Sequence, residues 1–313
     1  MTERAHYRSV VADSVRWDGF RFRDGDIVIS TPPKCGTTWM QRMVALLVFD
    51  GPDLPAPVSK ISPWLDMQLA PLDEVTALLE AQQHRRFIKT HTPLDGIPYD
   101  PNVRFVCVGR DPRDVAVSSA HHMSNLNIER FMASRQAAVG LDDLPELGLN
   151  RPGPPPHEAA VDPLRAWIDD DGEHAPMSLR FVLRHLSTCW DKREAPNVAL
   201  FHYADLSDDL AGELLRLASF LGYEITPDRA TELATAATFE AMKRDAANVA
   251  PNADIALWHD NDSFFHRGRS GQWRDVFSPE HLRRYDERVR ELASPELAAW
   301  LHHGAAETVS PRG

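Results

Sequence analysis

Four short apolar runs alternate with helical stripes along the chain. The runs are DIVIS at residues 26–30, FIKTH at 87–91, VRFVCV at 103–108 and VALFHY at 198–203. Each is bounded by polar residues and is too short for a buried helix, so each reads as a buried strand. After the first run, Trp39, Met43, Leu46 and Leu47 fall on one helical face. After the third, Asp111 offers an N-cap and Pro112 a first helical position, and RDVAVSSAHHM continues that helix. Val182, Leu186 and Trp190 form a further stripe. So do Leu210, Leu214, Leu217 and Leu221, with Gly222 as a stop. Strands alternating with helices predict an α/β fold with three α/β/α layers around a central parallel sheet.

Two regions break the pattern. Residues 141–163, LDDLPELGLNRPGPPPHEAAVDP, are rich in proline and acid. That stretch is long for a loop and is expected to lack regular structure, as a functional lid or a disordered segment. The tail after Ser270 mixes helix formers with charges. No linker or internal repeat interrupts the chain, so one elaborated domain over residues 1–313 is expected.

Composition narrows the function. The 313 residues and 43% hydrophobic content suffice for a large core. With 34 basic and 46 acidic residues the formal charge is -12, which argues against broad nucleic-acid binding but leaves room for a local basic pocket. The three cysteines, Cys35, Cys107 and Cys189, are odd in number and include no Cys-x-x-Cys pair. Neither a disulfide framework nor a structural zinc site is expected. No stretch approaches 18 uninterrupted apolar residues, so no transmembrane segment is expected, and a soluble protein of the cytoplasm is.

The chemistry is concentrated between the first strand and its helix, in STPPKCGTTW at residues 30–39. A nucleotide-kinase loop reads G-x-x-x-x-G-K-S/T, with lysine after glycine. Here Lys34 precedes Gly36. The parts still make a P-loop-like anion site. Backbone N–H groups at a helix start are unpaired and partially positive, Gly36 permits close approach, Thr37 and Thr38 add hydroxyls, and Lys34 adds a charge. Lys89 and His91 are two apart on a predicted strand and share a face. A base and a cation converging on an anion site suit transfer of a charged group to a hydroxyl.

The stretch TPPKCGTTW resembles the 5′-phosphosulfate loop of the cytosolic sulfotransferases, T-x-P-K-S/T-G-T-S/T-W. Five further blocks resemble that family in its order: FIKTHTPL, VGRDPRDVAVSSAHH, FHYADL, TFEAMK and FFHRGRSGQW. The resemblance spans residues 26–277. It implies 3′-phosphoadenosine 5′-phosphosulfate (PAPS) as sulfuryl donor and co-substrate, without a metal. It implies that His91 is the catalytic base and that Lys34, with Lys89 and Ser118, serves the transfer. The donor would be bound by Lys34, Cys35, Gly36, Thr37, Thr38 and Trp39 at its 5′ end. Arg110, Ser118, His266, Arg267 and Gly268 would take its 3′-phosphate, and Tyr203 and Phe239 would flank the adenine. A separate 3′-phosphate site would exclude ATP.

The sequence departs from the family pattern at several points. Cys35 replaces serine or threonine. Its place near a helix start and lysines predicts a lowered thiol pKa and sensitivity to oxidants. His266 stands where arginine is usual, and Ala237 where threonine is common. The pattern linked to dimerisation in animal members is missing after Trp273, so no oligomeric state is inferred. Residues 124–178 match least and are expected to form a variable lid on the acceptor side. The acceptor is therefore open: a hydroxyl or amine of a small molecule or glycolipid. Trp64, Leu65, Met67 and Phe131 are candidates for an apolar pocket, or equally for the core. Two alternatives remain, a P-loop kinase or NTPase and a non-catalytic relative that binds the desulfated donor, PAP.

Overall fold

A computed structural model describes residues 4–147 and 162–308. The four apolar runs form strands β1 (Ile27–Ser30), β2 (Phe87–Thr90), β3 (Arg104–Gly109) and β4 (Val198–His202). Helix α1 (Thr37–Val48) lies between β1 and β2. The sheet is wholly parallel, in the order β2-β1-β3-β4. The side chains of β1 divide by alternation, as a pleated strand requires. Ile27 and Ile29 join α1 and the stripe Leu214, Leu217 and Leu221 on one face, while Val28 joins Leu79, Ile88 and Phe105 on the other. Both faces of β1 are covered, which is why its sequence is continuously apolar.

The helix from Pro112 to Asn125 begins as expected: the Asp111 carboxylate accepts the Arg113 N–H, and Pro112 is in the first turn. The stripe from Leu210 to Leu221 ends on Gly222 in the left-handed region, φ 79°. A buried pair fastens the edge of the sheet. Arg86, before β2, donates from Nε to Asp26 Oδ1 at 2.9 Å and also bonds Oδ2. A second packing constraint lies at the end of β3. A side chain at Gly109 would meet Trp300 of the C-terminal helix at 2.4 Å.

Some boundaries differ from the sequence reading. His91 lies one residue beyond β2. Tyr203 is not in β4 but opens a short helix, Tyr203–Asp208, capped by the His202 side chain. The tail forms two helices, Pro279–Leu292 and Pro295–Thr308. The region expected to be a lid contains regular structure at both ends. Asn127 caps a helix from Ile128 to Val139, and Asp162 caps one from Pro163 to Asp169. Residues 148–161, the centre of the expected lid, lie outside the described residues.

Candidate active site

The chain leaves β1 and β3 at their carboxyl ends, next to each other and beside β2. In this strand order β1 connects outward to β2, and the chain then crosses to β3. Such a reversal opens a crevice at the strand ends where ligands bind in parallel sheets. The β1 loop turns there through two left-handed residues, Lys34 at φ 67° and Gly36 at φ 100°. A side chain at position 36 would press on Tyr203 at 3.1 Å. Gly36 caps α1 with no side-chain hydrogen bond. The first N–H groups of α1 are thus available to an anion.

His91 and Lys89 approach from β2. His91 donates Nδ1–H to the Thr31 carbonyl at 2.6 Å, so Nε2 is left as the acceptor. Burial, reinforced by Lys89, holds the His91 pKa well below the usual imidazole range. The imidazole is therefore neutral, as a base must be. Lys89 lies over the Trp64 ring, 4.2 Å from its centroid, and Trp64 packs edgewise on His91 at 4.5 Å. Burial lowers Lys89 to about 7. Lys34 is also lowered to about 7, by burial and then by Arg110 and Lys89. Beneath them Asp66 accepts from Thr90 Oγ1 and Thr92 Oγ1, both at 2.6 Å, and from Trp17 Nε1 at 2.9 Å. These bonds fix the backbone on either side of His91.

Arg110 defines the other end. It is buried and donates to the Lys34 carbonyl at 3.1 Å and the Arg269 carbonyl at 3.2 Å. Its guanidinium lies 4.1 Å from the Tyr203 ring centroid. Its Nε is buried with no partner among the described residues. Asp114 accepts N–H bonds from Gly271 at 2.7 Å and Trp273 at 3.2 Å, which clamps the loop carrying His266, Arg267 and Gly268 against the Pro112–Asn125 helix. Gly268 has φ 62°, and a side chain there would enter the Phe239 ring at 2.3 Å. That close approach sets the Phe239 ring beside the loop.

The loop, both lysines, His91 and Arg110 open onto one cavity of about 600 Å³. Lys34, Gly36, Thr37, Thr38, Trp39, Lys89, His91, Arg110, Ser118, Tyr203, Phe239, His266, Arg267 and Gly268 line it. Segments distant in sequence thus converge on a single basic end, joined to an apolar chamber.

Comparison with known proteins decides the family. The family described as Sulfotransferase domain matches residues 24–297. The chain belongs to the sulfotransferase family. It is 48% identical to a glycolipid sulfotransferase of Mycobacterium bovis, an alignment covering 97% of this chain and 96% of that one. It is 24% identical to sulfotransferase 1B1 of Mus musculus, covering 90% and 87%. Among solved structures, a mouse sulfotransferase complexed with PAP gives a TM-score of 0.66 at 20% identity, covering 93% of each chain. Retinol dehydratase in complex with androsterone and PAP gives 0.65 at 23%, covering 90% and 85%. These likenesses show a shared fold.

Within this sulfotransferase one expected donor residue is misplaced. Cys35 does not line the cavity. Its side chain is fully buried in a separate cluster with Val115, Leu183 and Leu186, and burial pushes its thiol up to about 12. The expected lowering of the thiol is wrong, because desolvation outweighs the nearby cations. Arg110 and Asp114 are both buried, and Asp114 serves the 271–273 backbone. Ala237 is buried in the core and lies off the cavity wall. Of the apolar candidates, Trp64, Met67 and Phe131 line the cavity, whereas Leu65 belongs to the core.

The sequence reading missed several lining residues. His122 Nδ1 sits 3.1 Å from Lys34 Nζ, and its ring packs on Trp258 at 4.7 Å. Tyr7, Val10 and Val11 of the N-terminal segment also line the chamber. The helical stripe that carries Ser118 could have revealed His122, four residues on and hence on the same face. Nothing local to residues 7–11 signals their place.

Proposed function

We propose that this sulfotransferase moves a sulfuryl group from PAPS to a hydroxyl of a glycolipid. The observation that carries the reading is the single cavity in which the phosphate loop, a neutral histidine and an apolar chamber meet. The α1 N-terminus, Thr37, Thr38 and Lys34 hold the 5′-phosphosulfate. Arg110, Ser118, Arg267 and Gly268 hold the 3′-phosphate, with His266 as a neutral contact. Phe239, Tyr203 and Trp39 enclose the adenine. The acceptor oxygen attacks sulfur as the bond from sulfur to the 5′-phosphate oxygen breaks. His91 Nε2 takes the acceptor proton, and the leaving product is PAP. Lys34 and Lys89 offset the charge that grows on the leaving oxygen, an interaction stronger in the transition state than in the ground state.

The acceptor class is supported by the wall beyond His91, where Val10, Val11, Met67, Leu126, Phe131 and Met132 suit a lipid chain. It is supported too by the 48% identity to the mycobacterial glycolipid sulfotransferase. We read the chain as one domain over residues 1–313 acting in the cytoplasm. Among the described residues no helix is long and apolar enough to cross a membrane.

Thermal unfolding with adenosine 3′,5′-bisphosphate, and separately with ATP and magnesium, tests the donor site. A ligand at 100 times its dissociation constant stabilises by about 2.7 kcal/mol. The bisphosphate is expected to raise the melting temperature and ATP with magnesium to leave it nearly unchanged. The reverse result would favour a kinase or NTPase.

A further inference from the structure

Two of the imidazoles that line the cavity, His91 and His122, are held in different ways. His91 gives its Nδ1–H to the Thr31 carbonyl and offers a lone pair at Nε2. His122 is tied through Nδ1 to Lys34 Nζ at 3.1 Å. When Lys34 is charged it has hydrogens to donate and no lone pair, so His122 Nδ1 is then the acceptor and Nε2 carries the proton. An anionic donor in the loop favours that charged form of Lys34. The lysine has three N–H groups, so one can stay on His122 while the others meet phosphate.

His122 is also fixed in space. Its ring lies against Trp258 at 4.7 Å and Phe264 at 5.9 Å, and Phe264 in turn lies 4.7 Å from Lys34 Nζ. His122 lines the cavity, and its Nε2 has no partner among the described residues and is not among the buried orphan atoms. It is thus a donor open to the cavity. An indole flanks each imidazole, Trp64 beside His91 and Trp258 beside His122.

We propose that His122 is a specificity-determining residue that donates Nε2–H to a second hydroxyl of the acceptor, next to the one whose proton His91 removes. The pair of imidazoles then selects a vicinal diol, the arrangement on a sugar ring, over an isolated hydroxyl. This inference rests on the sulfotransferase reading above and deepens it. A site that hydrogen-bonds a substrate hydroxyl discriminates against the analogue that lacks it, because the site's own polar group is left unpaired.

The test uses two acceptors with one tail, dodecyl glucoside and dodecanol, with PAPS as donor. The quantity read is the ratio of kcat/KM for the glucoside over the alcohol. In His122→Phe that ratio is expected to fall by about tenfold or more, the scale of one hydrogen bond to a substrate hydroxyl. His122→Gln, which keeps an N–H donor, is expected to recover part of it. Stabilisation by adenosine 3′,5′-bisphosphate checks that each variant is folded, and His122→Gln alone suffices if the phenylalanine variant is not. An unchanged ratio overturns the proposal. So does an equal loss on both acceptors, which would mean that His122 acts only through Lys34. If the unaltered protein sulfates neither acceptor, nor any other hydroxyl, the sulfotransferase reading falls and this inference with it.

Discussion

In the proposed mechanism His91 is the residue on which the chemistry turns. Its Nδ1–H is committed to a backbone carbonyl, so the tautomer is set by the fold rather than by solvent. His91→Ala is expected to lower kcat by about 10²–10⁴ while the bisphosphate still stabilises the fold. Retained turnover would remove the residue from the role of base. Arg110→Ala should weaken bisphosphate binding by roughly 1.5–3 kcal/mol, as expected for a lost charge-assisted bond. The two buried lysines give a pH signature. Their pKa values near 7 are far below that of an exposed lysine, so both are largely neutral at pH 8 in the empty site. A bound anion favours the charged forms. Donor binding at pH 8 should therefore take up protons, and affinity should fall as pH rises above 7. Calorimetry in two buffers of different ionisation enthalpy checks this, and proton release would contradict it. Cys35 gives the opposite expectation from its sequence context. With its thiol buried and raised, peroxide should leave its mass unchanged in the folded protein.

At the scale of elements, the strand ends and loop turns create the site. Gly109 ends β3 where Trp300 packs against the backbone. Gly109→Ala is expected to destabilise the fold by about 1–3 kcal/mol through overpacking, read as a lower melting temperature. The strands and main helices were legible because both faces of the sheet are buried and the helices carry one-sided stripes. The Asp111-Pro112 start and the Gly222 stop were legible as local chemistry. The end of β4 was not. His202 turns its ring back to cap a helix that starts at Tyr203, a choice that apolarity does not encode. The N-terminal wall was hidden for a different reason. Arg135 donates to the Val10 carbonyl at 3.1 Å and pairs with Asp143, a contact between segments distant in sequence. The helical stripe puts His122 on the face of Ser118, but its contact with Lys34 is visible only in three dimensions. The same holds for Cys35, whose neighbours in sequence are cations but whose neighbours in space are aliphatic.

At the scale of the whole molecule, the proposed function asks one cavity to serve two unlike ligands. Its basic end is assembled from the loop after β1, Lys89 of β2, Arg110 after β3 and the 266–268 loop, and its apolar end from the N-terminal segment and the helix Ile128–Val139. In a chain of net charge -12, Lys34, Lys89, Arg110 and Arg267 still come together on this one cavity. The sheet edge that supports this arrangement depends on the buried Asp26–Arg86 pair. Asp26→Ala should cost about 3–5 kcal/mol, since Arg86 would be left buried and unpaired. The most direct test of the account is transfer itself: incubate the protein with PAPS carrying radioactive sulfur and a neutral glycolipid, without added metal, and count label in the lipid. The account predicts labelled glycolipid from the unaltered protein and little from His91→Ala. Label that never leaves the donor, for this or any other hydroxyl acceptor, would contradict it.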